Sequence, residues 1–189
     1  MSNGNGRLIQ SEAVIKGCRD FVLLSDGKEI DPTIQVVSMT VNKKVNKVST
    51  ARIVIKDGST CSESFSVSDG DVFTPGKKIE IRAGRGAASI VVFKGISIKL
   101  KIKASDKGAQ LTVECKDECV KMTVGRQNKF YKDKTDSDVI KAILGEFGLV
   151  GNLEKSTVKH KNLAQSKTTP WEFILSRASS NGMLVVPDD

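Results

Sequence analysis

The spacing of apolar residues changes once along this chain, near residue 135, and that change sets the fold class. Before it, apolar side chains recur at every second position, the spacing of a half-buried strand. Residues 34–45 and 48–56 are rich in β-branched side chains, and the second run alternates through Ala51, Ile53 and Ile55. The linker 43–47 between them suits a hairpin turn. Residues 78–83 alternate through Ile79, Ile81 and Ala83. Residues 89–103 read as one long strand, with Ile96, Ile98, Leu100 and Ile102 expected on one face. Ser97, Lys99, Lys101 and Lys103 take the other, because strand side chains alternate. Lys107-Gly108 turns into a strand over 110–116, where Leu111, Val113 and Cys115 continue the alternation. Short strands divided by Gly- and Asp-containing turns predict a closed barrel or sandwich.

After the change the period is helical. Val139, Ile140, Ile143, Leu144 and Phe147 form a stripe with Gly148 as terminator, and Thr135 with Asp138 fits an N-terminal capping pair. A second helix has Thr169 as cap, Pro170 at the first position and Glu172 completing a capping box. Its stripe is Trp171, Ile174, Leu175 and Ala178, and Asn181-Gly182 ends it. Helices are therefore predicted near 136–147 and 169–180, and a strand begins at 183–186. The chain is expected to be mainly β with an α+β second part: a barrel domain over 1–118 and an α/β segment over 119–189. Because the last strand finds no following partner, these residues are expected to be the front of a longer protein.

Charge narrows the partners. The 189 residues carry 30 Lys and Arg against 22 Asp and Glu, a net charge of +8. From Lys121 onward 11 basic and 8 acidic residues give +3, which leaves +5 for the first 120, so the excess is spread. A nucleic-acid binder concentrates its charge and interleaves aromatics for stacking. Aromatics here are 5% and do not interleave, which argues for a solvated basic surface or an acidic protein partner. The lysines of Lys99-Leu100-Lys101-Ile102-Lys103 are read first as a solvent face that discourages edge pairing, and second as a docking face for an acidic protein. No apolar run is long enough to span a bilayer, and the polar start Met1-Ser2-Asn3-Gly4-Asn5-Gly6 lacks a signal-peptide core. Cytoplasmic synthesis is expected, without stable membrane association and with export by a signal-independent route open.

No catalytic set stands out. His160, the one histidine, sits among lysines in the polar stretch 155–161 and reads as a solvated surface residue. Gly84-Arg85-Gly86-Ala87-Ala88-Ser89 joins two strands, whereas phosphate cradles join strand to helix, so it reads as a hairpin loop. Asp69 with Asp71, and Asp136 with Asp138, fall at turns and helix starts, where Asp is locally useful. Of Cys18, Cys61, Cys115 and Cys119, only the last two are close, and no second knuckle completes a zinc site. The expectation is no enzyme, no metal, no cofactor and structural thiols.

Four motifs in order carry a resemblance. They are Ser68-Asp69-Gly70-Asp71-Val72-Phe73-Thr74-Pro75-Gly76-Lys77-Lys78-Ile79-Glu80-Ile81, Val92-Phe93-Lys94-Gly95-Ile96, Tyr131-Lys132-Asp133-Lys134-Thr135-Asp136-Ser137-Asp138-Val139-Ile140, and the helix from Trp171 to Met183. Over about 34–186 the chain resembles the N-terminal hub region of VgrG, the type VI secretion spike also called Rhs element Vgr protein. That superfamily includes phage baseplate hub and late control D proteins. The resemblance implies a homotrimer of protomers with two similar barrels each, adapting a three-fold spike to a six-fold tail tube. It implies as partners an Hcp-like tube protein, other baseplate components and effectors. The second barrel, the oligosaccharide-binding-type domain and the β-helical needle of that family do not appear in these residues. The isolated chain is therefore expected to be monomeric or weakly associated, and the full-length protein trimeric. Lys99, Lys101 and Lys103 are the candidates for the tube side. The alternative function is a phage or prophage tail hub, and after it a basic nucleic-acid-binding barrel.

Overall fold

A computed structural model describes residues 11–15, 21–57, 67, 70–84, 89–105 and 108–188, with the backbone alone for 11–15 and 105. Cys18, Cys61, Ser68, Asp69, residues 85–88 and Lys107 lie outside the described residues. The chain divides into two units, one built from the strands up to residue 117 and one from 45–47 and 118–187.

The first unit contains β1 (Ser11–Ile15), β2 (Phe21–Ser25), β3 (Lys28–Glu29), β4 (Val36–Lys43), β5 (Thr50–Asp57), β6 (Lys78–Ala83), β7 (Ile90–Ser105) and β8 (Gly108–Lys116). They form one antiparallel sheet in the order β1-β4-β5-β8-β7-β6-β2-β3. Its β-rich character is what the alternation predicted, since period-2 apolar runs bury one sheet face. Met39, Ala51, Ile53, Ile55, Leu111, Val113 and Cys115 from one part of the sheet share a single core with Phe93, Ile79, Ile81 and Leu23 from the other. The sheet thus rolls its apolar face inward. Its ladder order stays open, however: β1 and β3 stand at the ends, with no ladder joining them among the described residues.

Two devices shape this sheet. The first is the turn before β6. Lys77 N–H donates to the Thr74 carbonyl (3.1 Å), with Pro75 and Gly76 between them and Gly76 at φ +101°. A left-handed third position after Pro is what such a turn requires, and Gly supplies it without strain. Ser97 then fastens the turn to β7. Its hydroxyl donates to the Phe73 carbonyl (2.8 Å), its N–H to Lys77 O (2.9 Å), and its own carbonyl accepts from Gly76 N–H (2.8 Å).

The second device is a β-bulge that overturns the face assignment made for residues 96–103. Ser97 pairs with Cys115 and Lys99 with Glu114, so Ile98 is an extra residue without a counterpart on β8. One inserted residue shifts the alternation by one. Ser97 therefore points inward and is 1% exposed, instead of standing beside the lysines. Ile96 pairs with Lys116 and belongs to the opposite face from Leu100, which pairs with core Val113. Gly95 precedes the bulge. A Cβ there would lie 2.7 Å from the Lys116 carbonyl carbon and from Phe93 Cζ, and closer still to the Lys116 carbonyl oxygen. The Phe-x-Gly motif is a close approach of two backbones.

The second unit holds a 3-10 helix (Glu118–Thr123), β9 (Gln127–Thr135), α1 (Asp136–Glu146), β10 (Lys159–Thr168) and α2 (Pro170–Ser180). Both helices carry the expected capping boxes, Thr135 with Asp138 and Thr169 with Glu172. The buried face of α2 is Pro170, Trp171, Phe173, Ile174 and Ala178. β9 and β10 form an antiparallel ribbon, and Tyr131 of β9 stacks on Phe173 with ring centroids 6.0 Å apart. The strand expected at 183–186 does not form. Instead Val185 exchanges two bonds with Asn46: Asn46 N–H donates to Val185 O (2.7 Å), and Val185 N–H donates to Asn46 Oδ1 (2.9 Å). An Asn side chain here satisfies the backbone that a ladder would otherwise serve.

Candidate functional site

The outer face of the β5–β8–β7 part of the sheet gathers the basic residues. Directly opposed residues share a face in an antiparallel pair. Arg52 on β5 opposes Glu114 on β8, and Glu114 opposes Lys99 on β7; Lys101 opposes Thr112 and Lys103 opposes Gln110. Lys99, Lys101 and Lys103 therefore do stand together, and all three are exposed. Lys101 Nζ donates to Glu114 Oε1, and Arg52 lies 3.9 Å from the same oxygen. Chiefly the Lys101 hydrogen bond, together with these cations, holds the Glu114 carboxyl below its ordinary range. One carboxylate is thus shared among several cations, and the face remains net basic.

A second cluster lies at a shallow cleft beside the turn before β6, lined in part by Ser25, Ile30 and Val72. Lys77 Nζ sits 3.1 Å from both Asp26 Oδ2 and Asp71 Oδ2. Asp26 Oδ1 accepts from Lys78 N–H (2.9 Å), and Asp71 accepts from the Thr74 hydroxyl (2.8 Å). Two carboxylates share one ammonium, and a backbone N–H and a hydroxyl supply further donors. Its chemistry is that of a fastening between loops.

The third cluster is the one the sequence reading missed. Asp136, taken as a helix-start residue, is 3% exposed at the head of α1. Arg177 of α2 holds it through Nε (2.6 Å) and a guanidinium NH2 (3.3 Å), and Asn181 Nδ2 donates to Oδ2 (2.9 Å). His160, expected to be a solvated surface residue, lies with Nε2 3.1 Å from the same Oδ2 and its side chain 25% exposed. Burial would push the Asp136 carboxyl up, but the hydrogen bonds from Arg177, Asn181 and His160 more than offset it and hold the group at about 2. The partners lie 24, 41 and 45 residues from Asp136 in sequence, so no local spacing announces them. The cluster fixes α1, β10 and α2 to one another.

Cys115 is buried in the sheet core, and burial pushes its thiol up to about 12, so it is a poor nucleophile and a poor metal ligand. Among the described residues no group of three or more His, Cys, Asp or Glu is placed to hold a metal ion.

A mainly antiparallel sheet followed by a small helical unit is similar in fold to phage tail proteins of known structure. The chain aligns with the prophage MuSo2 43 kDa tail protein from Shewanella oneidensis at TM-score 0.68 and 11% identity, covering 88% of this chain and 52% of that one. It aligns with the E. coli c3393 protein at TM-score 0.60 and 15% identity, covering 87% and 47%. That protein is described as a component of the type VI secretion system with structural similarity to T4 bacteriophage tail proteins gp27 and gp5. A tail protein from Neisseria meningitidis MC58 aligns at TM-score 0.59 and 15% identity, covering 88% and 49%. The chain spans about half the length of each of these proteins. By sequence it belongs to the Alg8 N-terminal domain family, whose model matches residues 16–189. No curated protein matches it.

Proposed function

We propose that this chain is a structural component of a contractile injection machine: the hub region of a VgrG-like spike, joining a three-fold spike to a six-fold tail tube. The observation that carries this reading is the fold shared, over 87% of the chain, with a type VI secretion component that itself resembles two phage tail proteins. The four ordered motifs support it independently of the fold, and the structure gives two of them physical roles. Thr74-Pro75-Gly76-Lys77 is the turn that Ser97 fastens, and Phe93-Lys94-Gly95 is the close approach to β8. A hub works by presenting shape-matched rigid surfaces to neighbours, and closed rings use two different patches per protomer. In this role the protein performs no reaction and needs no cofactor. Its partners are further copies of itself, the tube protein, other baseplate components and effectors, and it leaves the cytoplasm only as part of the machine.

A phage or prophage tail hub is the second reading, favoured by the names of the Shewanella and Neisseria proteins. One experiment tests the hub role common to both. Purified from its host at native length, the protein should scatter light as a trimer at micromolar concentration and co-purify with the tube protein. A monomer that leaves the tube protein behind overturns the hub reading. Neighbouring genes separate the two versions: a sheath-recycling ATPase and membrane complex for secretion, capsid genes for phage.

A further inference from the structure

β7 is paired along its two halves on opposite edges. Residues 90–96 ladder with β6, and residues 96–105 ladder with β8. Beyond Ser97, where the fastened turn makes its last bonds to β7, no described residue pairs with the edge that faces away from β8. Along that stretch every second residue turns its N–H and C=O toward the unpaired side, as antiparallel geometry requires. The stretch holds neither Pro nor Gly, and its bulge lies at the start, at Ile98. It is therefore straight enough to receive another strand.

The two faces flanking this edge differ in chemistry. One carries Lys99, Lys101 and Lys103, all exposed. The other carries Leu100, partly buried against the core, and Ile102, which pairs with core Leu111 yet remains 53% exposed. An apolar side chain left half-exposed beside an unpaired edge is surface that a further strand would cover. The lysine row decides which strand. Pairing this edge with the same edge of a second copy would set lysines against lysines, which is unfavourable for directly opposed like charges. A strand with carboxylates on the lysine side and apolar residues on the other satisfies both faces and the backbone at once.

We propose that residues 98–105 of β7 receive, by strand addition, an extended segment of a partner protein that alternates acidic and apolar residues. Lysines on an edge usually protect it from indiscriminate pairing. Here they act as a selector: neutral and basic strands are turned away, and an acidic one is drawn in. Arg52, Lys56 and Lys116, on the same outer face, extend the positive field beyond β7 and speed encounter. This goes beyond the hub reading, because it depends only on the edge and its charges and holds for any partner of that chemistry.

The test uses the intact protein and three labelled peptides of equal length. One alternates Glu and Val, one alternates Lys and Val, and one repeats the Glu-Val sequence with alternate backbone nitrogens methylated. The Glu-Val peptide should bind, and on binding the backbone amides along residues 98–105 that lack partners should gain protection from hydrogen exchange. The Lys-Val and N-methylated peptides should bind at least tenfold more weakly. The double variant Lys99→Glu/Lys103→Glu leaves the Lys101–Glu114 pair in place, and it should bind the Glu-Val peptide at least tenfold more weakly while keeping its circular dichroism. Equal binding of the methylated peptide would mean attraction by charge alone and overturns strand addition. So does absence of binding, or tighter binding of a single-stranded oligonucleotide than of the acidic peptide. The peptide arms stand on the unaltered protein, so a misfolded variant leaves them decisive.

Discussion

The two units of this chain combine apolar burial and buried polar groups in different proportions. In the first, Ile53, Ile55, Ile81, Phe93, Leu111 and Val113 are each at 0% exposure and belong to one apolar cluster, with the buried polar residues Ser49, Asp57, Ser97 and Asp117 outside it. In the second, the apolar residues Val139, Ile143, Phe173 and Ile174 share burial with a carboxylate, Asp136, and an amide, Gln165. The first unit draws on apolar burial, which is roughly proportional to area and indifferent to direction. The second depends in part on a charge whose partners must be placed to within hydrogen-bond distance. A volume change should therefore hurt the first unit most, and a lost partner or a change of pH the second.

Phe93→Ala should have the largest effect. It empties the centre of the sheet core and should cost about 3–5 kcal/mol, read as a lower denaturant midpoint by far-ultraviolet circular dichroism. If the loss stays below about 1 kcal/mol, the single-core description of the sheet fails.

Arg177→Ala comes next, because it leaves a buried carboxylate with two partners instead of three. The expected loss is about 1.5–3 kcal/mol, the range for hydrogen bonds to charged groups. Trp171, the chain's one tryptophan, is buried on α2, so its fluorescence reports this unit. The same signal gives the pH dependence. The folded Asp136 carboxyl is held at about 2, below its ordinary 3.8, so its contribution is complete above the ordinary value. It is lost as pH falls from about 4 toward 2. In Arg177→Ala the folded value moves up, and part of that acid dependence should disappear. An unchanged acid profile would remove the network from the account of this unit.

Gly95→Ala sharpens the contrast from the other side. It adds one methyl against the Lys116 backbone and should cost about 1–3 kcal/mol through overpacking, although no apolar contact is removed. Lys101→Ala should do least. Its ion pair with Glu114 is half-exposed and screened by solvent, so the midpoint should barely move.

The same division explains what could be read in the sequence. Ala51, Ile53, Ile55, Ile79, Ile81, Leu111, Val113 and Cys115 alternate without interruption, and their strands were legible because burial of one face writes itself into the spacing. Both helices were legible from Thr135, Asp138, Thr169 and Glu172, since a cap acts over three residues. β9 and β10 were not. Their strands, Gln127–Thr135 and Lys159–Thr168, carry polar residues at most positions, and a ribbon of that composition reads as a loop. The bulge at Ile98 was invisible, because the run Ile96-Ser97-Ile98-Lys99-Leu100 alternates without a break. It is the pairing with Glu114 and Cys115 that inserts the extra residue. The lysine row was found, because it follows the bulge and keeps its own alternation. The Asp136 cluster was not, because its members are joined only in three dimensions.

The burial of Cys115 has a use as a gauge of local opening. A thiol held at about 12 and shut inside the sheet reacts with an alkylating reagent only in the moments when β8 is exposed. When reclosing outpaces the reagent, the labelling rate at that one sulfur measures the fraction of time the interior of the sheet is open to solvent. The peptide containing Cys115 can be followed by mass spectrometry in a cell extract as easily as in dilute solution. It would thus report the open fraction of this sheet with no residue changed.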